Sequence, residues 1–153
     1  MGQQMIEHEL TAKAPPETVF GLLADGSTWP NWAPIGSFEL VHKGAGEPEG
    51  VGATRIFRTG RIESRERVVK ATPNELFSYE LISGLAVRDY VAVVRLLPRG
   101  DGTAIRWRST FRAKVPGTGW IYRRQLGRFI GLTVNGLAAA AESATLARRA
   151  EPS

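Results

Sequence analysis

The sequence contains no cysteine. Disulfides, thiolate metal sites and a cysteine nucleophile are all excluded together, and the absence fits a reducing compartment. Histidine is scarce as well, His8 and His42 being the only two in 153 residues. Neither sits in a His/Asp/Glu cluster with ligand spacing, so no metal site is expected and both read as surface or strand residues. There is no Gly-x-Ser-x-Gly elbow, and the glycine-rich segments lack the Gly-Lys-Ser/Thr of a phosphate loop. No cofactor is expected. Long hydrophobic runs are missing too. Met1-Gly2-Gln3-Gln4-Met5 lacks the basic-then-apolar order of a signal peptide. The longest mostly apolar stretch, 129–141, contains Thr133 and Asn135 and is too short to cross a bilayer. No stable membrane insertion is expected, and the cytoplasm is the expected compartment.

What is present fits one ordinary domain. Hydrophobic residues make up 42% and charged residues 23%, which excludes global disorder. A chain of this length buries roughly 68–70% of its unfolded surface, enough for a core with volume to spare. The net charge is +5, carried by 16 Arg and 4 Lys. Arg55, Arg58, Arg61, Arg65 and Arg67, and later Arg95, Arg106, Arg108 and Arg112, mostly alternate with apolar or small residues. That is the pattern of a solvated sheet face, so nucleic acid is not an expected partner.

The periodicity predicts a strand at 5–13, stopped at Ala14-Pro15-Pro16, and a short helix opened by Pro16 with Val19, Phe20, Leu22 and Leu23 as its apolar face. Trp29-Pro30-Asn31-Trp32 predicts one more helical turn. Runs of period near two follow at 37–43, 53–59, 61–71, 75–82, 86–97 and 103–114, separated by Gly- and Pro-rich turns. From 120 to 148 the spacing becomes helical, with Thr118 placed to cap it. The expected fold class is α+β: a curved seven-stranded antiparallel sheet wrapped around a long C-terminal helix, with two short helices after strand 1. One domain is expected over 4–148, with a flexible tail at 149–153. The oligomeric state stays open, a dimer among the options.

Residues 4–147 resemble the SRPBCC (START-like, helix-grip) superfamily, in its polyketide cyclase/dehydrase and lipid-transport branch. The likeness rests on Ala14-Pro15-Pro16-Glu17-Thr18-Val19-Phe20, on Leu23-Ala24-Asp25 with Trp29-Pro30-Asn31-Trp32, on Pro73-Asn74-Glu75-Leu76-Phe77-Ser78-Tyr79, and on Gly100-Asp101-Gly102-Thr103 followed by Trp107. The resemblance implies a cavity between sheet and helix for lipids, polyketides or other hydrophobic molecules, without fixing an activity.

Parity groups Phe77, Tyr79 and Leu81 on one strand face and Tyr90, Ala92 and Val94 on the next. With Trp107 and Phe111 these would line an aromatic cavity, or simply fill a core. Phe57, Leu126 and Ile130 join them as ligand-binding candidates, and Trp29, Pro30 and Trp32 would flank the mouth. Glu66 shares parity with Ser64 and Val68, and Arg88 with Tyr90. Turned inward, Glu66 is a candidate general base with a raised pKa and Arg88 a clamp for a carboxylate or enolate. Turned outward, both are solvated rim residues, and a single bulge would decide. The loop from Gly44 to Gly52 is a candidate mobile lid. Gly127, Gly131 and Gly136 inside the long helix imply a close approach or a kink. The expected function is a carrier or sensor of a small hydrophobic molecule. A polyketide cyclase/dehydratase using the same cavity and a protein-interaction module are the alternatives.

Overall fold

The computed structural model describes residues 2–150. Strand β1 (Gln4–Ala12) stops short of Pro15 and Pro16, which have no backbone N–H to offer a ladder. Helix α1 (Pro16–Ala24) starts on Pro16, where that missing donor costs nothing. A 3-10 turn (Gly26–Thr28) follows, held by the Asp25 carboxylate, which accepts from the Ser27 amide at 3.1 Å and its hydroxyl at 2.6 Å. A single helical turn, α2 (Trp29–Trp32), leads into β2 (Ser37–His42), β3 (Thr54–Thr59), β4 (Ile62–Thr72), β5 (Leu76–Ser83), β6 (Val87–Arg99) and β7 (Gly102–Ala113). Helix α3 (Gly119–Ala150) closes the chain. The expected boundaries differ from these by two residues at most.

The sheet has seven antiparallel strands in the order β1-β7-β6-β5-β4-β3-β2. Strands β2 to β7 form a meander joined by turns of two or three residues, except for the longer loop 43–53 between β2 and β3. β1 pairs with β7 (Leu10 opposite Ile105), and α1 and α2 bridge from one sheet edge to the other. Register shifts at Leu40/His42, Arg65/Glu66, Val68/Lys70 and Arg88/Val91 insert bulges that bend and twist the sheet into a grip.

Helix α3 lies across the concave face and divides in two. Its C-terminal half buries small residues, Ala138 and Ala141, around Leu137, which lets helix and sheet close tightly. Its N-terminal half carries Tyr122, Leu126 and Phe129, whose bulk holds the helix backbone away from the strands. His8 on β1 donates from Nε2 to the Gly127 carbonyl at 2.9 Å, pinning that half to the sheet edge. By length and composition α3 could cross a membrane. Its apolar stripe is spent on the sheet here, as in the core helix of many folded domains.

Two local expectations change. Thr118 stands at the helix start, but its hydroxyl donates back to the Val115 carbonyl at 2.6 Å instead of capping a helical amide. The tail expected at 149–153 is still helical at Ala150, and residues 151–153 lie outside the described residues.

Of the helix glycines, Gly136 faces the Trp32 carbonyl so closely that a Cβ there would overlap backbone, whereas one at Gly127 would meet open space. Gly136→Ala is therefore expected to lose about 1–3 kcal/mol through overpacking. Gly127→Ala should gain up to about 1 kcal/mol of helix propensity. Urea unfolding of both variants checks the pair, and equal effects would contradict the close approach.

Candidate functional site

A cavity of about 250 Å³ lies between the sheet and the N-terminal half of α3. Trp29 from α2, Tyr79 from β5, Tyr90 from β6 and Trp107 from β7 make its inner wall. Their rings form one contact network, with Trp29–Trp107 centroids 6.0 Å apart, Trp29–Tyr79 6.2 Å and Tyr79–Tyr90 6.4 Å. Leu126, Phe129 and Ile130 of α3 cover it, and the exposed lining residues Pro34, Thr59, Ile62 and Gln125 mark the mouth.

Position along each strand sorts the residues that parity had grouped together. Phe57, Glu66, Tyr79, Tyr90, Trp107, Leu126 and Ile130 all line the cavity. Phe77, Val94 and Phe111 are fully buried but lie outside its lining. Parity puts all three on the concave face, yet Phe77 sits against Phe20 of α1 at 6.2 Å and Phe111 stacks behind Tyr90 at 6.2 Å. Trp32 also stands in a second layer, 4.8 Å from Trp29, and Trp29 takes the wall position.

Arg88 is exposed and takes no part in the cavity. The bulge between Arg88 and Val91, with Asp89 at φ 53°, breaks the parity that would have aligned it with Tyr90. The inward arginine is Arg55, which the alternation of arginines had placed on the solvated face. It is 0% exposed. Its strand neighbour two residues on is Phe57, and its cross-strand partner is Glu66, so parity with a candidate wall residue was the available signal.

The Arg55 guanidinium lies 4.9–5.1 Å from the ring centroids of Trp29, Phe57 and Phe77. Cation–π attraction replaces part of the hydration it has lost. It donates to the Leu23 carbonyl at 3.1 Å, at the end of α1, and to Glu49 at 3.2 Å. Glu49 also accepts the Gly26 amide at 2.7 Å. The loop expected to be a lid is thus anchored through Glu49, bonds to β4 through Gly52, and contributes nothing to the cavity lining.

Glu66 lies 3.7 Å from Arg55, an ion-pair distance too long for a hydrogen bond. Burial raises its carboxyl to about 7, against the pull of the Arg55 charge. Burial likewise raises Tyr90 to about 12 and pushes Tyr79 well above its ordinary value, so both phenols remain neutral donors. The Tyr90 hydroxyl is shared with Ser109 Oγ at 3.0 Å. The inner wall therefore combines a carboxyl that can hold or release a proton near neutrality with two phenols and an indole. Among the described residues, no three His, Asp or Glu side chains converge as a metal set.

A bent antiparallel sheet gripping a long helix around an aromatic cavity defines a helix-grip domain of the SRPBCC superfamily. The chain belongs to the polyketide cyclase/dehydrase and lipid transport family, whose model matches residues 3–142. No curated protein matches it. Among solved structures it is similar to a START superfamily protein from Mycobacterium smegmatis, with 16% identity, TM-score 0.79, and coverage of 93% of this chain and 99% of the other. A solution structure from Thermobifida fusca is similar at 25% identity and TM-score 0.74, covering 88% and 90%. A norcoclaurine synthase point mutant from Thalictrum flavum, in complex with a transition state analogue, matches at 17% identity and TM-score 0.71, covering 94% and 97%.

The raised carboxyl has a stability signature. Below pH 4.5 Glu66 is protonated in folded and unfolded chains alike; from 4.5 to about 7 only the unfolded chain ionises it, so stability falls with rising pH and then levels off. The loss is about 3 kcal/mol. Glu66→Gln should remove that fall, measured as urea-unfolding stability between pH 4.5 and 8. Parallel pH profiles for the two proteins would contradict the buried carboxyl.

Proposed function

We propose that this protein binds a small hydrophobic molecule in the cavity under α3, as a carrier or sensor in the cytoplasm. The observation that supports it most is a hollow of about 250 Å³ among Trp29, Tyr79, Tyr90 and Trp107. At roughly 30 Å³ per water-sized group, it suits a guest of one or two rings. A diacyl lipid would have to leave most of its chains outside. Apolar burial at roughly 25 cal/mol per Å² is enough to hold such a guest at modest affinity without any reaction.

A second reading is favoured by Glu66. A carboxyl raised to about 7, lining the cavity beside two phenols, suits proton abstraction from a polyketide-like substrate. On this reading the protein is a cyclase or dehydratase, with Glu66 as base and Tyr79 and Tyr90 as hydrogen-bond donors to the developing oxyanion. The norcoclaurine synthase is an example of a similar fold holding a transition state analogue.

Native mass spectrometry of the protein purified from cells tests the first reading. A co-purified small molecule is expected with the wild type and should be lost from Leu126→Trp, whose indole fills the cavity. Equal retention by both would place the guest elsewhere. For the second reading, Glu66→Gln is expected to lower turnover of that molecule at least 100-fold while leaving its binding within a few-fold.

A further inference from the structure

One buried polar atom on the cavity's lining residues has neither a hydrogen-bond partner nor a counter-charge among the described residues: the Trp107 indole nitrogen. Glu66 Oε1 is also unbonded but faces the Arg55 guanidinium at 3.7 Å. Trp107 is 1% exposed, so bulk water does not serve its nitrogen. Unpaired buried polar groups are uncommon in folded proteins and call for a partner. No neighbouring hydroxyl bonds to this nitrogen: Tyr90 shares its hydroxyl with Ser109, and Thr133 donates to the Phe129 carbonyl at 2.8 Å. The indole nitrogen can only donate, so its partner must carry a lone pair.

We infer that the guest is an uncharged molecule bearing an oxygen, a phenol, enol or ketone, which accepts from Trp107 Nε1 and is hydrogen-bonded by Glu66. This rests on the binding proposal and narrows it to a ligand class. An ammonium would suit the aromatic walls and an ionised Glu66, but it has no lone pair for the indole. A carboxylate would meet the Glu66 carboxyl, while the Arg55 charge lies behind that carboxyl and off the lining. A pure hydrocarbon would leave the indole nitrogen unpaired and dry.

Four probes of one shape separate these cases: naphthalene, 2-naphthol, 2-naphthoate and 2-naphthylmethylammonium, titrated at pH 7 and followed by quenching of tryptophan fluorescence and by calorimetry. We expect 2-naphthol to bind at least 10-fold more tightly than the other three. Trp107→Phe should weaken 2-naphthol about 10-fold and leave naphthalene within 2-fold. Equal affinity for naphthalene and 2-naphthol would overturn the oxygen anchor while leaving the cavity as a binding site. Tightest binding by the ammonium or the carboxylate would overturn the ligand class. If no probe binds and Leu126→Trp still retains the co-purified molecule, the binding proposal itself fails. The wild-type panel decides the matter even if Trp107→Phe does not fold.

Discussion

The Arg55 guanidinium is the interaction on which the rest of this architecture depends. A cation with no exposed surface is costly unless its charge is met on several sides. Here it is met by three aromatic rings, the Leu23 carbonyl at the end of α1 and two carboxylates. These groups come from α1, α2, the loop before β3, and strands β3, β4 and β5. One side chain thus ties the helical excursion after β1 to the far half of the sheet. Removing its charge would leave Glu49 and Glu66 without their shared cation, which is why the group is hard to replace piecemeal.

The same residue shapes the cavity from behind. Arg55 and Glu66 are directly opposed across β3 and β4, so Glu66 turns inward with its partner and brings a carboxyl to an otherwise aromatic wall. Desolvation then outweighs the attraction of Arg55 and leaves that carboxyl balanced near neutrality. The hollow itself has a different origin. Alanines in the C-terminal half of α3 let the sheet close, whereas Leu126 and Phe129 in the N-terminal half keep helix and strands apart. Packing and charge arrive at the same place from separate causes.

Much of the fold was legible because its periods are clean. β7 alternates Ile105, Trp107, Ser109 and Phe111 against Arg106, Arg108, Thr110 and Arg112, and α3 keeps its helical stripe over 32 residues. The cavity was less legible, for three physical reasons. Parity identifies a face but not a depth, so Phe77, Val94 and Phe111 could not be separated from Tyr79, Tyr90 and Trp107. A bulge leaves no mark in hydrophobicity, so Arg88 kept an inward assignment that Asp89 undoes. Finally, the alternation of arginines disguised Arg55, although its phase with Phe57 pointed inward. Glu49 was the hardest to foresee, since its role depends on a loop folding back to the end of α1.

The most direct measurement is a carbon-13 titration of the Glu66 side-chain carboxyl, assigned by comparison with Glu66→Gln. A midpoint near 7 is expected, well above the ordinary 4.5, and it should move when 2-naphthol fills the cavity. A midpoint at the ordinary value, unmoved by any occupant, would contradict an inward carboxyl held between Arg55 and a binding cavity.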